Sequence, residues 1–176
     1  QTELISLNAI NEKNKIEHVV NRILSNQTAA LISDAGTPSI SDPGYLLVKN
    51  CLEKNILVEC LPGAVALIPA LVNSGFPSDR FCFEGFLPQK KGRGKKIKEW
   101  MNEPRTVIFY ESPHRLMKAL NQLVEILGVD REISVSRELT KIYEENIRGT
   151  VPELIQYFEN KVIKGEIVIV IKGRDA

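Results

Sequence analysis

Five segments of this chain concentrate the residue types that do chemistry. The first runs from Ser33 to Gly44 and reads SDAGTPSISDPG. It stands between an apolar run, Ala29 to Ile32, and a helical pattern, Tyr45 to Leu52. Ala35 and Gly36 present so little side chain that the backbone can press against a flat or extended ligand. Open α/β sheets bind their ligands in loops of this kind. A tight strand-to-helix turn fits the same residues. The loop lacks the glycine–lysine–serine/threonine end of a P-loop, and it is not a dinucleotide fingerprint. The second segment is LPGAVALIPAL, Leu61 to Leu71. The N–H groups of Ala64, Val65 and Ala66 fall at a helix start, where they can donate to a carboxylate or an adenine edge. A buried apolar helix is the plainer reading, and both can hold at once.

The third segment, PQKKGRGKKIK, carries Lys90, Lys91, Arg93, Lys95, Lys96 and Lys98 with no acid among them. Gly92 and Gly94 predict a flexible arm. Such a patch attracts a polyanion, although lysine-rich surface loops are common. The fourth, FYESPHR, crowds Glu111, His114 and Arg115 at a strand-to-helix junction; Arg115 suits a phosphate or a nearby acid. The fifth is SRELTKIYEE, Ser136 to Glu145. It can supply a general base with phosphate clamps, or it can be a surface salt-bridge network.

The elements that must position these segments follow from periodicity. Leu4–Leu7, Ala29–Ile32 and Ile56–Cys60 read as strands alternating with helices at Ile16–Leu24, Tyr45–Leu52 and Ala64–Val72, which predicts a parallel sheet. Asp42-Pro43 reads as a helix cap followed by a first-position proline. SGFPSD, Ser74 to Asp79, is a turn-rich linker. It divides the chain into a first domain over 1–76 and a second over 77–176. In the second, strands are expected at Arg80–Phe86, Thr106–Tyr110, Glu132–Ser136, Asn146–Gly149 and Ile167–Ile171. A helix opens at Ser112-Pro113 and stops at Gly128. Thr150 and Glu153 have capping-box spacing for a last helix. This half is a mixed α/β domain.

The whole is α/β, with 43% hydrophobic and 26% charged residues and a net charge of +1, an ordinary composition with no global bias toward nucleic acid. Three scattered cysteines argue against a disulfide framework or a zinc site. Cys51 and Cys60 read as core thiols, and a reducing cytoplasm fits. No apolar run approaches the ~20 residues of a membrane span. Gln1 is not methionine and the first strand begins almost at once, so an N-terminal piece is expected to be absent and the first domain truncated.

Taken in this order, the five segments resemble the small-subunit ribosomal RNA methyltransferase I family, among the tetrapyrrole methylase-like, class III S-adenosylmethionine-dependent methyltransferases. The resemblance spans essentially the whole chain. It implies a two-domain tetrapyrrole methylase-like fold, S-adenosylmethionine as methyl donor, and 2′-O-methylation of a cytidine in 16S rRNA of the small ribosomal subunit. It implies a cytoplasmic homodimer without a membrane partner and requires no metal. Residue by residue, it places Ala35, Gly36, Thr37, Pro38, Ile40, Val65 and Ala66 beside the donor, with Phe109 or Tyr110 walling the adenine. Arg115, Arg137, Thr140 and Lys141 fall on the substrate side, and Lys90, Lys91, Arg93, Lys95 and Lys96 hold the RNA backbone. Glu138 and Glu144 are the candidate bases. A same-fold enzyme acting on a small molecule such as a tetrapyrrole, and a non-catalytic RNA-binding fragment, are the alternatives.

Overall fold

A computed structural model describes residues 3–8, 10–89 and 91–175. The chain forms two compact units, Gln1–Val65 and Ala66–Ala176. The division falls before the Ser74–Asp79 linker because α3, Leu67–Ser74, buries Leu67, Ala70 and Leu71 within the second unit and packs on its sheet.

In the second unit, five strands pair in the order β1-β2-β5-β3-β4. They are β1 (Phe81–Phe86), β2 (Thr106–Glu111), β3 (Glu132–Arg137), β4 (Glu145–Thr150) and β5 (Ile167–Ile171). β1 runs parallel to β2, and β5 runs antiparallel to both β2 and β3. The expected mixed sheet is therefore formed, and the carboxyl ends of β1, β2 and β3 share one edge. Side chains alternate across the sheet. Val107, Phe109, Ile133, Val135, Ile167, Ile169 and Ile171 face a layer made by α4 (Arg93–Glu99), α5 (Pro113–Leu127) and α6 (Val151–Phe158). Leu116, Leu120, Leu123 and Leu154 close that core. Ser112 and Pro113 open α5, Gly128 ends it at φ 95°, and the Thr150–Glu153 capping box opens α6.

The flexible arm expected at Gly92 and Gly94 is instead the start of α4. Ile97 and Trp100, three residues apart, are buried and pin the helix down, with Trp100 stacked on Phe109 at 5.4 Å.

The first unit contains α1 (Glu12–Leu24) and α2 (Tyr45–Glu53), which share a small core of Ile16, Val20 and Cys51. Asp42 does not cap α2, whose N-cap is Gly44. The cap comes from α1: the buried Glu12 carboxylate accepts the Gly44 and Leu46 amides at 3.0 and 3.2 Å. The runs at Leu4–Leu7, Ala29–Ile32 and Ile56–Cys60 pair with no strand among the described residues. A short apolar run signals burial, whereas a strand also needs a neighbour for its amides. Without one, Leu4, Ile32 and Leu57 stay exposed. Cys60 is likewise exposed rather than a core thiol, while burial pushes the Cys51 thiol up.

Candidate functional site

In the first unit, the loop at Ser33–Gly44 is built on backbone that side chains disfavour. Gly36, Ser39, Ser41 and Gly44 all have positive φ, a concentration of strain that persists only where surrounding structure enforces it. The enforcement is visible. Thr37 donates its amide and its hydroxyl to the Ala64 carbonyl at 2.9 and 3.0 Å. A Cβ on Gly36 would sit 3.1 Å from that same oxygen, and one on Gly44 would overlap Ser39 Oγ. The first two segments are thus stitched together, with Ala35, Gly36 and Ile40 exposed and Pro38 half-buried. This small, backbone-rich wall suits a flat ligand. Thr37 serves the stitch through both of its polar groups. Val65 is half-buried; Ala66, exposed, is the N-cap of α3.

In the second unit, the shared edge of β1, β2 and β3 gathers most of the remaining candidates. Register aligns Glu111, Ile167, Arg137 and Glu145 in one row, and Phe86, Tyr110, Val168, Ser136 and Asn146 in the next. Adjacent rows point to opposite faces, which separates the two aromatic candidates. Phe109 is fully buried against Trp100 in the helical core and cannot wall a ligand. Tyr110 lies on the α3 face, half-buried, with Phe83 and Phe86 edge-on at 5.0 and 5.5 Å. Burial pushes its phenol up, countered in part by the Leu67 amide.

The segment from Ser136 to Glu145 joins β3 to β4. Glu138 and Thr140 adopt φ 52° and 67°, uncommon for residues with side chains. Glu138 accepts Lys141 Nζ at 2.8 Å and the Glu166 amide at 3.0 Å, and its own amide donates to the Glu166 carbonyl. The Lys141 ammonium holds the Glu138 carboxyl below the usual carboxylate range. Glu144 accepts the Thr140 amide at 2.6 Å and Asn146 Nδ2 at 3.0 Å. Both candidate bases therefore also build the loop that carries them. Arg137 donates to Glu145 Oε2 and to the Lys164 carbonyl.

The basic segment divides. Lys91, Lys95 and Lys98 are exposed, with no ion pair among the described residues. Lys96 is tied to Glu84 at 2.8 Å and Glu99 at 3.1 Å. Arg93 is buried and turned inward to Glu111, away from any RNA backbone. Lys90 lies outside the described residues. Arg115 sits in the first turn of α5 with Nε on Glu111 at 2.9 Å.

Sequence reasoning gave no role to Glu111 or Gly165. The spacing of Glu111 and Arg115, four apart with the helix start between, was a signal for their pair. Nothing in the pattern marks Gly165, where a Cβ would overlap the Glu138 side chain.

The profile of the Tetrapyrrole (Corrin/Porphyrin) Methylases matches residues 2–155. The chain is 44% identical over 98% of its length to the ribosomal RNA small subunit methyltransferase I of Thermotoga maritima, covering 77% of that protein. It is 48% identical over 98% of its length to the namesake from Escherichia coli O157:H7, covering 62% of that one. It thus spans about three fifths of the length of several curated relatives that it matches. Among solved structures it resembles the methyltransferase CobJ (TM-score 0.68, 16% identity, 92% of this chain and 71% of that one). It also resembles uroporphyrin-III C-methyl transferase from Thermus thermophilus complexed with S-adenosyl homocysteine (TM-score 0.59, 15% identity, 90% and 72%).

Proposed function

Because the chain belongs to the tetrapyrrole (corrin/porphyrin) methylase family, on the ribosomal RNA small subunit methyltransferase I side of it, we propose that the whole protein methylates a ribose 2′-hydroxyl of a cytidine in 16S rRNA, with S-adenosylmethionine as donor. One observation carries the choice of substrate. Identity is 43–48% to three relatives named for ribosomal RNA and 15–16% to the tetrapyrrole-type enzymes of like fold.

The residues present fit the donor. Ala35, Gly36, Thr37, Pro38 and Ile40 form a wall of backbone and small side chains with an exposed apolar residue at its end, and the Thr37–Ala64 stitch keeps its shape. Val65, Ala66 and Tyr110 complete the set assigned to it. When bound, S-adenosylmethionine supplies an electrophilic methyl group. The protein's share is then chiefly positioning. Arg115, Arg137, Thr140 and Lys141 hold the nucleotide, and Lys91 and Lys95, with Lys90, hold the flanking backbone. Glu138 stays ionised because of Lys141, so it serves the attacking hydroxyl as a hydrogen-bond acceptor and takes its proton as the O–C bond forms; the methyl's bond to sulfur would break in the same displacement, its electron pair leaving with the neutral thioether. Glu144 supports the loop. The 2′-hydroxyl requirement excludes DNA.

The substrate reading is tested at the exposed lysines. Lys91→Gln with Lys95→Gln should weaken RNA binding and lower its salt slope by about 1.4–1.8, the share of two phosphate contacts. Unchanged RNA binding, with methyl transfer to a small acceptor intact, would contradict it.

A further inference from the structure

Glu111 is the most enclosed ionised pair-former in the second unit. Its side chain is 0% exposed, and both carboxylate oxygens are engaged. Oε2 accepts Arg93 Nη2 at 2.7 Å. Oε1 accepts the Ser112 amide at 2.7 Å and forms an ion pair with Arg115, whose Nε is 2.9 Å away. A carboxylate so placed is tolerable only when its charge and lone pairs are met. Arg93 is itself buried, and its Nε has no partner among the described residues, so it meets the carboxylate through one arm alone.

Two guanidinium groups around one carboxylate leave one positive charge in surplus. Arg93 is sealed in the core, so the surplus reaches water through Arg115, whose side chain is 22% exposed. The Arg115 guanidinium is fixed from behind. Its Nε donates to Ser112 Oγ at 3.0 Å and lies 2.9 Å from Glu111 Oε1 as an ion pair, while its two terminal nitrogens engage no partner among the described residues. The Ser112 hydrogen bond and the Glu111 ion pair, both at Nε, set the plane of the group and leave the paired N–H donors that match a phosphate. In the same register row, Arg137 stands two strands away, about 10 Å at ordinary strand spacing.

We propose that Glu111 is a positioning residue: it holds Arg115 by Nε so that the terminal nitrogens form a pre-set fork for a phosphate of the substrate's backbone. Arg93 offsets the carboxylate from inside and is no part of the binding surface. The proposal rests on the RNA reading for the source of the phosphate and on the geometry above for the fork.

The test uses the intact protein and two probes over a salt series, a single-stranded oligoribonucleotide and inorganic tripolyphosphate. Arg115→Ala should weaken both about tenfold, the size of one charge-assisted hydrogen-bond pair. It should also lower the RNA salt slope by about 0.7. Glu111→Gln should do the same although Arg115 is present, and adding Arg115→Ala to it should cost nothing more. Ser112→Ala, which removes the hydroxyl that accepts from Nε and leaves the Glu111 ion pair, should move both values in the same direction and tests the role even if Glu111→Gln fails to fold. S-adenosylmethionine affinity should stay at the wild-type value throughout. A folded Glu111→Gln or Ser112→Ala protein with wild-type affinity and slope would overturn the positioning role, as would a loss confined to the methyl donor. This pattern for tripolyphosphate without RNA binding would keep the fork and remove the RNA reading instead.

Discussion

Glu138 is pulled two ways, since the carboxylate offered to the hydroxyl also ties the β3–β4 loop to Glu166. Glu138→Gln in the intact protein should therefore slow transfer by about 10²-fold or more while leaving S-adenosylmethionine affinity nearly unchanged; unchanged turnover removes the residue from the mechanism. Gly165→Ala offers a check from outside the loop. The residue has φ 87°, and an added Cβ would overlap the Glu138 carboxyl. The side chain must shift, so this variant should reproduce much of the turnover defect while leaving the Glu138 carboxyl chemically intact. Turnover at the wild-type level would mean that the placement of Glu138 is immaterial. The sequence shows Glu138 as one charge in a dense run. Its left-handed backbone and its glycine partner 27 positions later are set by tertiary contacts that no local pattern encodes.

Elements whose signals are local were legible. Ser112-Pro113, the Thr150–Glu153 box and Gly128 bound α5 and α6 as read, because caps depend on neighbours within a turn. The α2 cap was not legible, since its acceptor, Glu12, comes from 32 positions away. Glu12→Ala should cost about 1 kcal/mol, a fall of roughly 2–4 °C in Tm for a chain of this size; an unchanged melt would show the cap to be idle. Helix α4 escaped notice because two glycines obscured the Ile97–Trp100 anchor. A second tie joins β4 to α6: Glu145 meets Tyr157, Arg137 and Lys161. Burial alone would raise its carboxyl, but those donors outweigh it and hold it below the usual range. A depressed carboxyl contributes stability above its unfolded value, about 4.3, and loses it as pH falls through the lower folded value. Glu145→Gln should thus flatten the acid limb of the stability curve below about pH 4.3. An acid limb as steep as the wild type's would show that the tie carries no linkage.

At the scale of the whole molecule, the α/β class, the mixed second sheet and the family were legible from the order of five motifs, while the pairing of the first unit was not, because apolar runs do not specify their neighbours. No helix among the described residues is long and apolar enough to cross a membrane. We propose that the protein pairs with a second copy of itself. Phe81 and Phe86 on the edge strand β1, 36% and 53% exposed, supply apolar surface for self-association; light scattering at twice the monomer mass supports it, and monomer mass removes it. The measurement to make is transfer from labelled S-adenosylmethionine to unmodified small ribosomal subunits by the whole protein, with the label located by nuclease digestion. Label on a cytidine ribose 2′-oxygen of 16S rRNA is the expected result. Label on a base, or none on RNA while a tetrapyrrole is methylated, would contradict it.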